Sequence, residues 1–211
     1  MSELAFYEEL KAITQPVHDR LESKIPLLDP QLIFATYHDI LRQFYGIYIA
    51  FDEAIDRVTC ESLTFSCSLR HQTEWLKQDL CALGDDVDEL SAIPRCTTVP
   101  SLSSRAELLG AFYVLNGATL GSQFIFASLR TSLGDPARGC TRFFQSYGDQ
   151  VKPMWRTFLE VLVRTPDTPQ EQRAIIASAC DTFSCFERWF GQHFGPIRNS
   201  HADGKNRMFD R

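Results

Sequence analysis

From Leu108 to Leu129 the chain carries no charged side chain. Ser104 and Glu107 stand just before this run in the spacing of a capping box, where a serine caps the first turn and a glutamate three residues on reaches back. The pattern predicts one long helix ending before Gly134. Its length and hydropathy are enough to span a bilayer. Asn116, Thr119, Ser122 and Gln123 crowd its middle, however, and polar groups inside a membrane are costly. The run therefore reads as the central helix of a soluble, all-α domain. Its unusual feature is glycine. Gly110, Gly117 and Gly121 recur at i, i+7 and i+11, which puts them on one face. An interior glycine costs ~1 kcal/mol relative to alanine, so the three together cost ~3 kcal/mol. A bare backbone stripe lets another body approach the main chain. That body is either a neighbouring helix or a flat ligand.

Composition narrows the field. With 211 residues, 44% hydrophobic and 23% charged, the chain has the balance of a globular domain with a real core. A net charge of −6 without a basic run argues against nucleic acid as a partner. The acidic, amphipathic N-terminus is unlike a signal peptide. Seven scattered cysteines without a CxxC pair read as reduced thiols in a cytoplasmic protein.

Around the glycine-striped segment the expected elements are helical. Residues 3–25 carry Phe6, Leu10, Ile13, Val17 and Leu21 at helical spacing, with a kink expected at Pro16 and Thr14 as a local cap. Asp29-Pro30 reads as the start of a helix to about Val58. A third helix is expected over 68–83, stopped at Gly84, followed by a connecting loop over 85–103. A short helix over 136–146, one opened by Pro153 and running to Arg164, and one capped at Thr168 with Glu171 and running to Gln192 complete a bundle of seven or eight helices. Residues 1–192 form one domain and 193–211 a polar tail.

Catalytic signatures are few. No GxSxG, P-loop or GxGxxG occurs. His71 and Glu74 lack the Glu-x-x-His partners of a di-iron site. Cys60 with Cys67, and Cys180 with Cys185, lack metal-ligand spacing. His18 stands out: it lies between Val17 and Leu21 with Glu22 at i+4, within hydrogen-bonding reach on a helix. Metal-bound imidazoles usually donate their second N–H to such a carboxylate, although a surface His–Glu pair satisfies the spacing equally. Lys11 lies seven residues earlier, ~10.5 Å along the helix axis. A flat metallocycle held between this helix and the glycine face would account for both features, with His18 on the metal and Lys11 and Arg156 meeting carboxylates at the ligand's edge.

Two segments, Val17-His18-Asp19-Arg20-Leu21-Glu22 and Tyr113-Val114-Leu115-Asn116-Gly117-Ala118-Thr119-Leu120-Gly121-Ser122, resemble the heme oxygenase family. The first resembles its proximal-helix motif and the second its distal-helix motif, in the family's order, and the resemblance extends over about residues 3–192. It implies a multi-helix fold with heme, both cofactor and substrate, between two helices. The implied reaction opens heme with O2 and electrons to biliverdin, CO and ferrous iron. By position, His18 is the implied iron ligand and Glu22 its hydrogen-bonding partner. Lys11, Tyr113 and Arg156 are the implied propionate contacts and Phe183 a pocket wall, with Gly117 and Gly121 over the heme. An external electron donor such as a ferredoxin or a reductase is implied. The local pattern resembles bacterial members, including those that supply biliverdin to a bacteriophytochrome, and no membrane partner is expected.

The chain departs from the family where water is ordered. Ala118 stands where animal members carry an aspartate, Asn116 where many have glutamate, and Gly121-Ser122 where many have Gly-Gly. Gln43, Trp155 or backbone carbonyls are the candidates for that task. A heme carrier or sensor on the same fold is the alternative function. On this reading Gly121→Ala folds but loses product, whereas Gly110→Ala is mild.

Overall fold

The computed structural model describes residues 3–58, 67–134 and 139–194. Eight α-helices are found among them: α1 (Glu3–Glu22), α2 (Phe34–Asp56), α3 (Cys67–Ala82), α4 (Val87–Ala92), α5 (Arg105–Leu133), α6 (Arg142–Gln145), α7 (Val151–Arg164) and α8 (Pro169–Phe194). A 3-10 turn, Gly148–Gln150, leads into α7. No strand occurs among the described residues.

The uncharged run forms α5. Ser104 accepts from the Glu107 N–H, and the Glu107 carboxylate accepts from the Ser104 N–H at 3.0 Å, so the capping box closes in both directions. Gly134, at φ +72°, ends the helix in a conformation that favours glycine. The helix lies mostly buried between α8 and its neighbours. At Gly110 the main chains of α5 and α8 nearly touch. A Cβ there would fall on the Ile175 carbonyl and within 2.7 Å of Ser178 Cβ, and the Ser178 hydroxyl donates to the Glu107 carbonyl at 2.6 Å. The glycine stripe is therefore divided: Gly110 serves helix packing, and the α8 backbone leaves no room there for a methyl group.

Aromatic rings fill the centre. Phe44 contacts Phe190 at 4.8 Å and Phe143 at 5.3 Å, and Phe51 stacks on Phe186 at 5.6 Å. The short α6 is capped from another element. Asp79 of α3 accepts from the Arg142 and Phe143 N–H groups at 2.7 and 2.8 Å, doing what the Thr141 side chain does not. Arg142 then lies over the Trp75 ring at 4.1 Å, tying α3 to α6 a second time.

Several boundaries differ from the sequence reading. α1 runs without interruption through Pro16 and stops at Glu22 rather than 25. Thr14 does not cap; its hydroxyl donates back to the Leu10 carbonyl at 2.8 Å. The buried stripe of α1 is Phe6, Leu10, Thr14 and His18, whereas Ile13 is exposed. α2 begins at Phe34 because the Asp29 carboxylate instead accepts from the Gln31 N–H, closing a local turn. The acidic stretch read as loop contains α4, with a complete capping box between Asp86 and Glu89. The short helix expected over 136–146 contracts to α6, and residues 135–138 lie outside the described residues. α8 extends to Phe194; the rest of the expected polar tail, 195–211, and Cys60 lie outside the described residues.

Candidate active site

α1, α5, α7 and α8, with parts of α2, α3 and α6, enclose a largely apolar cavity of about 480 Å³. That lies within the ~300–1,000 Å³ usual for cofactor and small-molecule sites. Seven of the eight residues singled out from the sequence line it: Lys11, His18, Glu22, Tyr113, Gly117, Arg156 and Phe183. The eighth, Gly121, is buried on α5 one turn further along but is not part of the wall.

His18 reaches the cavity because it belongs to the buried stripe of α1, not because it is exposed; it is 8% accessible. Its ring stands edge-on to Phe183 of α8, 5.4 Å between centroids and perpendicular. Carboxylates flank both ring nitrogens, with Nε2 3.4 Å from Glu22 Oε1 and Nδ1 3.7 Å from Asp19 Oδ1. The three residues have potential ligand atoms within 4.8 Å of one another. The negative charge on either side favours an imidazole that presents an N–H to it.

On α5 the wall consists of Tyr113, Val114, Gly117, Ala118, Thr119, Leu120, Ser122 and Ile125. At Gly117, which lines the cavity, an added Cβ would meet only the Trp155 ring of α7, at 3.6 Å, and no backbone of another helix. Tyr113 packs against Trp155 at 5.7 Å. Burial pushes its hydroxyl up to about 12, which keeps it a neutral donor throughout the physiological range. Lys11, Lys152 and Arg156 supply positive charge to the wall, Arg156 from an exposed position at the rim. Among the described lining residues Glu22 is the sole carboxylate.

The candidates for ordering water separate. Trp155 lines the cavity. Gln43 does not; it borders a separate groove with Asp39 and Arg42, and its carbonyl accepts from the Trp189 indole N–H at 2.9 Å. Sequence reasoning missed Thr14, Gln72, Ser146 and Lys152. Gln72 had a readable signal, because it falls in the apolar stripe of α3 with Trp75, Leu76 and Leu80. Ser146 had none, since its place depends on a backbone turn at φ +51°.

Comparison with known proteins identifies the family and the fold. The heme oxygenase family profile matches residues 4–192. A heme oxygenase of Xanthomonas campestris pv. campestris (strain 8004) is 27% identical over 151 residues, covering 72% of this chain and 86% of that protein. The heme oxygenase of Neisseria meningitidis, solved with NO and CO bound, superposes with a TM-score of 0.66 at 20% identity, over 95% of this chain and 98% of its own. The heme oxygenase of Leptospira interrogans gives 0.68 at 19% identity, over 91% and 100%. These two structures share the all-α fold. Because the family profile spans every element that builds the cavity, from α1 to α8, the chain belongs to the heme oxygenase family of heme-degrading oxidoreductases.

Proposed function

We propose that this cavity binds heme, that His18 would hold its iron, and that the protein opens it to biliverdin, CO and ferrous iron. The observation carrying this reading is the joint presence, in one apolar cavity, of a buried histidine flanked by carboxylates and a helix face left bare at Gly117. When bound, heme supplies the iron centre for O2 chemistry and the macrocycle that is consumed. The chain's own residues bind and orient it. Glu22, with Oε1 3.4 Å from Nε2, holds the His18 ring by charge. Lys11, Tyr113 and Arg156, joined by Lys152, meet the propionates, with Tyr113 donating from its neutral hydroxyl. Phe183 fixes the other edge of the His18 ring. The apolar walls exclude bulk water, which strengthens each of these polar contacts.

An external donor such as a ferredoxin or a reductase supplies electrons, in the cytoplasm. A bacteriophytochrome is a fitting recipient of the biliverdin on the strength of the resemblance in sequence. The test is hemin titration of the purified protein, followed by a ferredoxin system under O2. A stoichiometric Soret complex converting to biliverdin is expected. Heme carriage without turnover is the second reading, favoured by Ala118, since α5 brings no carboxylate to the cavity. A Soret complex that persists unchanged under reductant and O2 selects that reading.

A further inference from the structure

Two polar side chains of the cavity wall, on α3 and just past α6, are left unused by the binding residues. Gln72 of α3 is 1% accessible and lines the cavity. Among the described residues nothing hydrogen-bonds to its Oε1 or its Nε2. Ser146, just past α6, is 3% accessible, lines the same cavity, and its hydroxyl is likewise unsatisfied among the described residues. Burying an amide with neither end partnered is expensive, and an apolar side chain of similar shape would avoid the cost. Both groups are nevertheless held rigidly.

The Ser146 N–H donates to the Arg142 and Phe143 carbonyls at 3.1 and 3.2 Å, and its own carbonyl accepts from Arg142 at 2.6 Å. It is the one non-glycine at positive φ among the described residues, a conformation that L side chains rarely adopt. Backbone strain of this kind persists where the surroundings enforce it. On the α3 side, the Trp75 ring meets Tyr147 at 4.8 Å and His71 meets it at 6.4 Å. Gln72 and Ser146 therefore sit on two segments fastened together at adjacent residues. α3 and α6 pack on each other and on α5, whereas α1 packs principally on α8 and α7. The polar pair is thus built from elements other than those carrying His18.

Resting on the reading of this cavity as a heme site, we propose that Gln72 and Ser146 form a water-binding subsite that orders a hydrogen-bonded water against the bound substrate, taking over from α5 the positioning task for which Ala118 has no polar atom. The chemistry suits it. A buried water needs two to four polar partners. The amide offers an acceptor and two donors and the hydroxyl offers both roles, so water held there keeps a proton free to donate into the cavity. Gln72 and Ser146 are positioning residues in this scheme, acting through the water.

Two variants test it. Gln72→Met keeps the shape of the side chain and removes both polar ends. Ser146→Gly removes the hydroxyl and suits the backbone at φ +51°, so neither is expected to impair folding. A crystal structure of the wild-type protein without heme is expected to show ordered water within hydrogen-bonding distance of both side chains, absent in Gln72→Met. The melting temperature of the heme-free variants is expected to equal or exceed wild type. With hemin bound at unchanged Kd, the fraction of consumed O2 recovered as biliverdin is expected to fall about tenfold in Gln72→Met, the size typical of losing a group that positions a reacting partner. A lower melting temperature in Gln72→Met, an empty subsite in the wild-type crystal, or unchanged biliverdin yield each overturns the proposal. Failure of the wild-type protein to bind hemin at all instead sinks the heme reading, and the ordered water still reports on the subsite.

Discussion

Gly110→Ala and Gly117→Ala, one methyl group each on the same helix, are expected to have opposite effects. Alanine gains ~1 kcal/mol over glycine in a helix interior. At Gly117 the new Cβ meets Trp155 at 3.6 and 3.8 Å, ordinary contact distances. The gain is therefore retained, and the heme-free protein is expected to melt ~2–4 °C higher, the usual response of a chain this size to 1 kcal/mol. At Gly110 the Cβ meets the Ile175 carbonyl, Ser178 Cβ at 2.7 Å and the Ala179 nitrogen at 2.9 Å. Backbone atoms of a packed helix do not rotate aside, so α5 and α8 must separate. Overpacking of this kind costs ~1–3 kcal/mol or more. After the ~1 kcal/mol gain in helix propensity, a net loss of about 2 kcal/mol is expected. Hemin affinity then reverses the ranking. A methyl at Gly117 intrudes on the face where the ring would lie and is expected to weaken binding tenfold or more, at ~1.4 kcal/mol per decade. Gly110→Ala, provided it folds, is expected to bind nearly as wild type. Urea denaturation of the heme-free proteins and hemin titration measure both quantities. A Gly117→Ala protein with wild-type hemin affinity would refute the assignment of that face, and a fully stable Gly110→Ala protein would refute the packing argument.

His18→Ala is expected to abolish the six-coordinate Soret spectrum and turnover; heme degradation at the wild-type rate would remove His18 from its role. Glu22→Ala is expected to lower the iron–histidine stretching frequency and cost on the order of 10- to 100-fold in affinity or activity, so an unshifted frequency counts against the hold of Glu22 on His18. Burial pushes the Asp79 carboxyl up to about 6 despite its two backbone hydrogen bonds. The folded state therefore holds that proton after the unfolded chain, at 3.8, has released it. The contribution of Asp79 is largest below pH ~4 and falls as pH rises to about 6, by about 3 kcal/mol. Asp79→Asn is expected to be less stable, through the weakened cap on α6, but to lack that part of the slope. Urea unfolding between pH 4 and 6 compares the two slopes, and identical slopes contradict the assignment.

The fold was most legible where local chemistry decides it. The capping boxes at Ser104 with Glu107 and at Thr168 with Glu171 mark the starts of α5 and α8 in both readings. The same signal at Asp86 with Glu89 was present and passed over because the surrounding charge reads as loop. Where the outcome depends on distant partners, the sequence was silent or misleading. Three glycines at helical spacing read as one stripe, yet only the position of α8 separates Gly110 from Gly117. Asp79 reads as an ordinary surface acid until α6 is placed over it. His18 and Glu22 were legible because an i, i+4 pair is fixed by the helix alone. The polar pair in the cavity wall was not, because it joins residues 72 and 146 through tertiary contacts.

The segment joining α4 to α5 has a consequence of its own. It is long and irregular, the kind of stretch at which chains are commonly nicked or re-opened with new termini. Here, however, Gly46 of α2 lies directly under the Pro94 carbonyl, and the Cys96 N–H donates to the Gly46 carbonyl at 3.1 Å. The Cys185 thiol of α8 reaches the Thr98 carbonyl at 3.5 Å, and Ile93, Cys96 and Leu102 are buried. The segment behaves as a strap stitched across α2 and α8. Proteases are expected to spare it in the folded protein, and a circular permutant opened between Pro94 and Thr98 is expected to lose the clasp that holds those two helices in register.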